Sequence, residues 1–492
     1  MCAAAEGARK EDDVLEAPMI IGGKAVSLPD TVVAMNPARL DEAVGRFPQG
    51  TEGEADAAVA AAAAALAEWR AVPVAERAER LVQAGNELHR RADEWQADFT
   101  REHGKTLVES GFDLQVAGDI LRYYGSHPEF LDEQVLTDFR GTLRVRKQPL
   151  GVCAAIVPWN WPVALSAMKI GPALLAGNTL VLKAPDHAAL TMLLAVAAVA
   201  ECFPPGVLNV ISGQGPALGR ALVRHPGVVK VTLTGGTATG KAVAADAAES
   251  LKRVTLELGG NDPAILLADV VVDENLAENI VLGAFTTAGQ ICFAIKRLFV
   301  PRALYGDVVD LLRTALDDVV VGDGLHAEVR MGPVNNARQY ESVTSLIDRS
   351  RRAGLTVDER GVLHNDADPE RGYFIRPHLV LDPPDEAEVV SCEQFGPVLP
   401  VLAYDTEDEA LARANATPFG LCSSLWTSDE ERAFSLCDRI EAGTTFINGH
   451  SVFNVDLDAP FGGVKESGYG RELSPHAVDE YTRLHAVTNK RL

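Results

Sequence analysis

Hydrophobic residues recur at helical spacing along the N-terminal third of the chain. Segments 54–70 and 74–103 are rich in Ala, Leu, Glu and Arg, and Pro73 separates them, so we predict two helices. Segment 107–124 predicts a third helix. Residues 142–149 instead alternate and place basic side chains on one face, which predicts an exposed strand that needs a partner.

The pattern changes after Gly151, where short apolar runs alternate with helical segments long enough to be crossovers. The apolar runs cover 152–157, 179–182, 207–211, 228–233 and 253–256, and the helical segments cover 163–175, 188–202, 216–224 and 237–248. This alternation predicts an open, mainly parallel α/β sheet. A second set of strand and helix signals, from 263 to 446, predicts another α/β lobe with a cleft between the two.

The composition limits the classes of partner that the protein could bind. The 492 residues, 47% of them hydrophobic, can fill the cores of two or three domains. The net charge of −24, from 69 acidic and 45 basic residues, repels polyanions, so we expect no nucleic-acid or membrane partner. The apolar runs 57–66 and 190–200 are shorter than the roughly 18–20 residues that a membrane span requires.

The cysteines and the N-terminus indicate the compartment. Seven cysteines at irregular spacing include no CxxC pair, so we expect free thiols, a reducing cytoplasmic setting and no metal site. The first eighteen residues, MCAAAEGARKEDDVLEAP, lack the basic and apolar regions of a secretory signal, and their acidic residues disfavour a mitochondrial one. We expect them to form a loose tail.

Three segments have the turn chemistry of active-site loops: PWNWP (158–162), ELGGN (257–261) and GQICFA (289–294). They occur in order with VLKAPD (181–186), TGGTATG (234–240), EQFGPV (393–398) and PFGGVKESGYGRE (460–472). Together, over roughly residues 20–488, these motifs resemble the aldehyde dehydrogenase superfamily.

The resemblance implies an aldehyde dehydrogenase-like α/β fold in three parts. An open Rossmann-like NAD(P)-binding domain would take residues 1–130 and 148–257, and an α/β catalytic domain would take 258–472. A β oligomerisation arm would take 131–147 and 473–492. Since an unpaired edge strand is a liability, the arm predicts a homodimer or homotetramer.

The resemblance also implies that an aldehyde is oxidised to a carboxylic acid with NAD(P)⁺ through a thiohemiacetal and a thioester on Cys292. A thiolate can attack the aldehyde carbon and later leave the acyl group. A lone cysteine is more often structural, which is the role we expect for buried residues at Cys153, Cys202, Cys422 and Cys437. Cys392 stands where the family commonly has glutamate, so we interpret it as a substitution.

Four further residues match catalytic positions of the family. Asn160 would donate to the oxyanion together with the Cys292 N–H, although an asparagine between prolines can be a simple turn residue. Glu257 matches the base that activates the deacylating water, whereas a lone glutamate at a strand end is usually solvated. Lys169 and Glu472 match a proton-relay pair, and an ordinary salt bridge explains them equally well.

The cofactor motif departs from the common dinucleotide fingerprint, because no GxGxxG follows the first strand. TGGTATG instead supplies Gly235 and Gly236 before a helix whose N–H groups can face pyrophosphate. Lys183 and Asp186 match the residues that hold the adenosine ribose, Asp186 being one methylene shorter than the family's glutamate. An acid there favours NAD and leaves NADP possible. The remaining predicted cofactor residues are Pro158, Trp159, Gly215, Glu393 and Phe395.

The predicted substrate channel is mostly apolar. Because it contains no Arg or Lys, it favours a medium-sized aliphatic or aromatic aldehyde, although each side chain could equally belong to the core. Phe453, in the loop 449–459, is the expected aromatic wall. The other predicted channel residues are Val116, Trp161, Ala164, Met168, Ile291 and Phe293. Asn261, next to the ELGG glycines, replaces a lysine that the family often has.

Two alternative functions remain open from the sequence. A relative that passes its acyl group to coenzyme A typically lacks the glutamate at position 257, and it would require coenzyme A. A non-catalytic structural or binding protein with this fold would show damage at Cys292, Asn160 or Glu257. All three residues are present.

Overall fold

The computed structural model describes residues 14–491, and its first layer is an eight-stranded sheet whose five central strands run parallel. Across the sheet the strands are Gly468–Tyr469, Arg253–Glu257, Lys230–Thr234, Val152–Ile156, Thr179–Lys183, Leu208–Ile211, Met19–Ile21 and Lys24–Val26. The central strands are almost wholly buried, as expected where helices cover both faces of a parallel sheet.

The helices that belong with this sheet begin and end close to the predicted positions. Two of them start with capping boxes, Thr51 with Glu54 and Thr106 with Glu109, in which side chain and backbone satisfy each other's donors. The helices are Glu52–Ala71, Val74–His103, Leu107–Ser126, Pro162–Leu175, Leu190–Ala200, Pro216–Arg224 and Thr237–Ala248.

The second layer is a seven-stranded sheet with one antiparallel edge strand. Its strands, in order, are Thr356–Glu359, His378–Leu381, Val398–Tyr404, Ile295–Pro301, Asp262–Leu266, Cys422–Trp426 and Thr444–Ile447. Its helices are Glu274–Phe285, Tyr305–Asp317, Ala337–Arg352, Glu388–Ser391, Glu407–Asn415 and Glu430–Cys437. Glu257 ends a strand of the first sheet and Asp262 begins a strand of the second, so the ELGG segment connects the two sheets.

A separate three-stranded antiparallel sheet forms the arm, in the order Thr482–Thr488, Gly141–Pro149 and Gln134–Asp138. Its strands are largely exposed, and Phe139 in its turn is 97% exposed. The predicted strand at 142–149 is confirmed. Within the C-terminal part of the predicted arm, Ser474–Glu480 is a helix.

The strands that precede residue 52 were not predicted from the sequence. Thr31–Asn36, Arg39–Pro48 and Leu15–Glu16 form a three-stranded sheet, so the expected tail is wrong for residues 15 and 16, whereas residues 1–13 lie outside the described part. A further pair of strands is parallel and consists of Val320–Val321 and Val362–Leu363. These strands are short or half-exposed, so their pattern is weak.

Two expectations about the cysteines also need correction. Cys153 and Cys422 lie buried on strands, as expected, whereas Cys202 and Cys437 are half-buried because they lie at helix ends.

No helix in residues 14–491 is both long enough and apolar enough to cross a membrane.

Candidate active site

The turn that carries Cys292 lies between the helix Glu274–Phe285 and the strand Ile295–Pro301. Thr287 and Ala288 both have φ of 54°, in the left-handed region, and the buried Glu109 carboxylate accepts the Thr287 N–H at 2.6 Å. Gly289 has φ of 71°, and a Cβ there would lie 2.4 Å from the Gly396 carbonyl oxygen. Only glycine therefore fits the first position of the GQIC motif.

Side chains from outside the turn hold the carbonyl groups around Cys292. Asn160 Nδ2 donates to the Gln290 carbonyl at 3.0 Å. Lys296 Nζ donates to the Ile291 and Cys292 carbonyls at 2.8 and 2.6 Å. A trans peptide directs its N–H away from its carbonyl, so binding the Ile291 carbonyl turns the Cys292 N–H in the opposite direction. Within residues 14–491 that N–H donates to no acceptor.

His450 holds the next carbonyl of the same turn. Its Nε2 lies 2.8 Å from the Phe293 carbonyl oxygen and therefore carries the proton, while Nδ1 accepts from Ser424 Oγ at 2.9 Å. Trp426 Nε1 in turn donates to Ser424. Burial lowers the pKa of His450 to about 3, so the ring is neutral and its hydrogen-bond roles are fixed.

The Cys292 thiol is half-buried, and desolvation by burial raises its pKa to about 12. Lys296 opposes this rise, whereas Glu393 and Asp262 add to it. The thiol is therefore the dominant form at neutral pH in this state of the protein.

Glu257 ends the strand Arg253–Glu257 and is 3% exposed. Neither of its carboxylate oxygens has a hydrogen-bond partner in the described residues. Burial raises its pKa well above the ordinary value, Glu472 adds to the rise, and Lys169 opposes it. Gly462 packs against the carboxylate, since a Cβ there would lie 2.7 Å from Oε1. Burial thus favours the neutral form of this closely packed carboxyl group.

Lys169 and Glu472 form a buried ion pair. Lys169 Nζ also donates to Thr234 Oγ1 at 2.7 Å. The pair acts electrostatically on Glu257 in opposite directions. The Lys169–Glu472 contact has the geometry of a salt bridge. A proton-relay function of the pair stays a prediction.

Three of the predicted cofactor residues meet at one place. Asp186 accepts from Lys183 Nζ at 2.6 Å through one oxygen and from the Gly215 N–H at 2.9 Å through the other. The Asp186 side chain is 40% exposed, and a Cβ on Gly215 would meet no atom within 4 Å. A carboxylate beside open space fits a ribose hydroxyl.

The glycines of TGGTATG lie where the strand Lys230–Thr234 gives way to the helix Thr237–Ala248. The Gly235 N–H donates to the Glu257 carbonyl at 3.0 Å, which links this loop to the ELGG segment. Gly236 is the N-cap, and a Cβ there would meet no atom within 4 Å. An uncapped helix N-terminus facing open space fits a diphosphate.

The predicted nicotinamide-side residues also come together. Trp159, which follows Pro158, meets Phe395 edge to face with ring centroids 5.6 Å apart. Glu393 accepts the Gly260 N–H at 3.1 Å and lies 3.7 Å from Lys296 Nζ. Glu393 is therefore bound to the ELGG segment in this state.

The predicted substrate residues divide into two groups. Phe453 is 45% exposed and lies with its ring centroid 4.5 Å from that of Phe112, which in turn meets Trp161 at 6.0 Å. Trp161, Ile291 and Phe293 are buried in the same core cluster, and Val116 and Met168 pack against it. Ala164 is buried and donates its N–H to Asp113 at 2.7 Å. Phe293 faces Phe461, with ring centroids 5.4 Å apart.

A lysine does lie against this region, although the sequence analysis found none. Lys105 Nζ is 3.8 Å from the Trp161 ring centroid, but it forms a fully buried ion pair with Asp113 at 2.7 Å. Its charge is thus neutralised before it could bind a substrate carboxylate.

Glu109, Lys296, His450 and Phe112 were not predicted from the sequence. Glu109 and His450 act on backbone groups distant in sequence, whereas Lys296 binds carbonyls four and five positions before it. The capping-box spacing of Thr106 and Glu109 could have indicated the helix start, but not the bond from Glu109 to Thr287. Phe112 is four residues before the predicted Val116 on the same helix, so helical spacing could have indicated it.

Comparison with known proteins confirms the family. The sequence profile of the aldehyde dehydrogenase family matches residues 26–487. The chain therefore belongs to the aldehyde dehydrogenase family.

Particular relatives align over almost the full chain. Phenylacetaldehyde dehydrogenase from Pseudomonas fluorescens is 36% identical over 483 residues, which is 95% of each chain. An aldehyde dehydrogenase from Bacillus cereus, solved as an NAD⁺ complex, is 34% identical with a TM-score of 0.89 over 96% of each chain. An NADP-dependent enzyme from E. coli is 31% identical with a TM-score of 0.88, over 97% of this chain and 98% of that one. These likenesses confirm the predicted fold class.

The raised pKa of Cys292 predicts how it reacts with iodoacetamide. Because only the thiolate is alkylated, the rate at Cys292 should rise about tenfold per pH unit from pH 7 to 9 without a plateau. Peptide mass analysis at timed intervals measures the adduct, and Cys292→Ala identifies it by its loss. A plateau below pH 8 would contradict the assignment of a buried, protonated thiol.

Proposed function

We propose that this protein oxidises an aldehyde to the carboxylic acid with NAD(P)⁺ through a thioester on Cys292. The observation that carries the proposal is the Cys292 turn, whose carbonyls are bound by Asn160, Lys296 and His450 while the Cys292 N–H has no acceptor in residues 14–491. A cysteine beside a free backbone donor is suited to acyl transfer.

In the first step the Cys292 sulfur attacks the aldehyde carbon, and negative charge develops on the aldehyde oxygen. The Cys292 N–H and the second amide hydrogen of Asn160 would stabilise this charge, the first amide hydrogen being held by Gln290. Lys296 lowers the pKa of the thiol and so favours the thiolate that attacks.

The cofactor would lie across the ends of the first sheet. Asp186 with Lys183 would hold the adenosine ribose, and Gly236 at its helix N-terminus would face the diphosphate. Trp159 and Phe395 would flank the nicotinamide end. When bound, NAD(P)⁺ supplies the hydride acceptor that converts the thiohemiacetal on Cys292 into a thioester.

Glu257 would act as the base for hydrolysis of this thioester. Water attacks the acyl carbon, its proton passes to the Glu257 carboxylate, and the Cys292 sulfur leaves as the acid is released. Since the pKa of Glu257 is raised by burial, its ionised form depends on the nearby positive charges of Lys169 and Arg471, which lower that pKa. This base supports hydrolysis over acyl transfer to coenzyme A.

The substrate is proposed to be a medium-sized aliphatic or aromatic aldehyde. The exposed Phe453 lies against Phe112, and Phe112 meets Trp161 edge to face, so these rings offer an aromatic wall. Lys105 cannot serve a substrate carboxylate because Asp113 already pairs with it. The alignment with a phenylacetaldehyde dehydrogenase supports the same class.

We further propose a reducing, cytoplasmic location. The described cysteines are all free, including the exposed Cys392. Free thiols of this kind persist in reducing compartments.

Replacing Glu257 separates hydrolysis from the earlier steps. Glu257→Gln should reduce one equivalent of NAD⁺ per active site and then stall, because thiol attack and hydride loss precede the base. Stopped-flow absorbance measures the burst, and intact mass should show an acyl adduct on Cys292. Asn160→Ala is the matched comparison, since it should slow the burst itself by about 10²–10³.

Two outcomes would contradict this role of Glu257. Loss of the burst would mean that Glu257 activates the thiol, and unchanged steady turnover would place the base elsewhere. Turnover of the unmodified protein only after addition of coenzyme A would favour the acyl-transferring alternative.

The choice of cofactor is proposed to be NAD over NADP and to depend on Asp186. Asp186→Ser should lower the ratio of kcat/KM for NAD⁺ to kcat/KM for NADP⁺, because it removes repulsion of the 2′-phosphate of NADP⁺. Asp186→Asn, which keeps the size and removes the charge, should act in the same direction. Equal use of both cofactors by the unmodified protein would show that Asp186 does not reach the ribose.

The arm is proposed to assemble the protein into a dimer or tetramer. Its outer strands, Thr482–Thr488 and Gln134–Asp138, each leave one edge unpaired in the chain, and Leu484 is 70% exposed. Leu484→Glu should shift the mass measured by light scattering toward the monomer. The matched control is Leu251→Glu, at a 92% exposed position outside the arm, which should leave the mass unchanged. Equal masses for both variants would contradict the proposal.

A further inference from the structure

Two histidines and an aspartate meet outside the active site, beside the short parallel pair Val320–Val321 and Val362–Leu363. The donor atoms of His326, His364 and Asp366 all lie within 4.8 Å of one another. Asp366 Oδ2 is 3.7 Å from His326 Nε2 and 4.0 Å from His364 Nδ1. The sequence shows no spacing motif for this group, because His326 and His364 are separated by almost forty positions.

The hydrogen bonds of His364 define which of its two nitrogens holds the lone pair. Its Nε2 is 3.0 Å from Glu328 Oε1, and a carboxylate only accepts, so Nε2 carries the proton. The Asp366 N–H donates to Nδ1 at 3.3 Å, so Nδ1 holds the lone pair. A histidine that donates to a carboxylate through one nitrogen and holds a lone pair at the other has the tautomer of a metal ligand, and a cation at Nδ1 would take the place of the Asp366 N–H.

His326 supplies the second nitrogen. Its Nε2 is inaccessible to solvent and makes no hydrogen bond in the described residues. The ring stacks on that of His364, with centroids 4.5 Å apart and planes at 26°. A buried polar atom without a partner is costly, and a bound cation would satisfy it.

The backbone at this place is already fixed. The His364 N–H donates to the Val321 carbonyl at 2.8 Å, and the His326 N–H donates to the Asp323 carbonyl at 3.1 Å. Only side chains would have to move, and Asp366, with 65% of its side chain exposed, is free to do so.

We propose that His326 Nε2, His364 Nδ1 and the Asp366 carboxylate bind a zinc-class divalent cation, with water completing its coordination. Bonds of about 2.0–2.1 Å in a tetrahedral site place ligand atoms roughly 3.3 Å apart. The distances from Asp366 Oδ2 to His326 Nε2 and to His364 Nδ1 therefore each need to shorten by less than about an ångström. Nitrogen and carboxylate donors favour Zn²⁺ over Mg²⁺ or Ca²⁺. The site is separate from Cys292, and we assign it no step of aldehyde oxidation.

Calorimetric titration of the full-length protein with ZnCl₂ tests the site. We expect about one equivalent bound, with affinity reduced at least tenfold in His364→Ala and in Asp366→Asn. His476→Ala is the matched control, because His476 is an exposed histidine beside a single carboxylate, Asp479, at 3.7 Å. Unchanged affinity in the site variants, or an equal loss in the control, would overturn the proposal.

Thiols are the main competitors for zinc, so a second measurement identifies the donors. Co²⁺ bound at the proposed site should give visible d–d bands without a sulfur-to-cobalt charge-transfer band, and a thiolate band would overturn the assignment. Unchanged aldehyde turnover shows that a variant is folded. If a ligand variant does not fold, Glu328→Gln serves instead, and loss of the carboxylate that orients His364 should weaken binding by about 10–100-fold. Full affinity in that variant would count against the site.

Discussion

The arrangement around Cys292 depends on side chains that bind the carbonyls of its own turn. Asn160 and His450 come from distant segments and Lys296 from the strand that follows the turn, and each binds a carbonyl of the turn. Because peptide groups are planar, fixing these carbonyls also fixes the direction of the intervening N–H groups. In the proposed mechanism the loop would thereby be held ready for an oxyanion before any substrate binds, which is the condition for electrostatic preorganisation.

This arrangement places ionisable groups where water is scarce. Burial raises the pKa of both Cys292 and Glu257, so their reactive forms are disfavoured in the resting structure. Lys296 and Lys169 counteract this, each from a buried position beside one of the two groups. A buried polar group without a partner costs on the order of 1–3 kcal/mol. The Glu257 carboxyl, without a hydrogen-bond partner in residues 14–491, is therefore a local loss of stability at the place where the proposed mechanism requires a base.

Close approach of the backbone explains several motif glycines. Gly289 lies against the Gly396 carbonyl, and Gly462 lies against Glu257, so a side chain at either position would displace the groups that the site positions. Gly215 and Gly236 differ, because the space beside them is open, as a bound ligand would need. The same residue type thus allows close packing at two positions and, among the described residues, leaves open space at two others.

The sequence alone determined the helices between residues 52 and 248, the central parallel strands and the positions of Cys292, Asn160, Glu257 and Asp186, because periodicity and motif chemistry act over short spans. It did not indicate the strands before residue 52, which are short or half-exposed. Nor did it reveal His450 or the group around His364, since a side chain bonded to a distant backbone or ring leaves no local pattern. Lys296 lies only four positions after Cys292, but its bond to the Cys292 carbonyl depends on how the turn folds. Only tertiary structure, which brings distant segments within hydrogen-bonding distance, could decide those contacts.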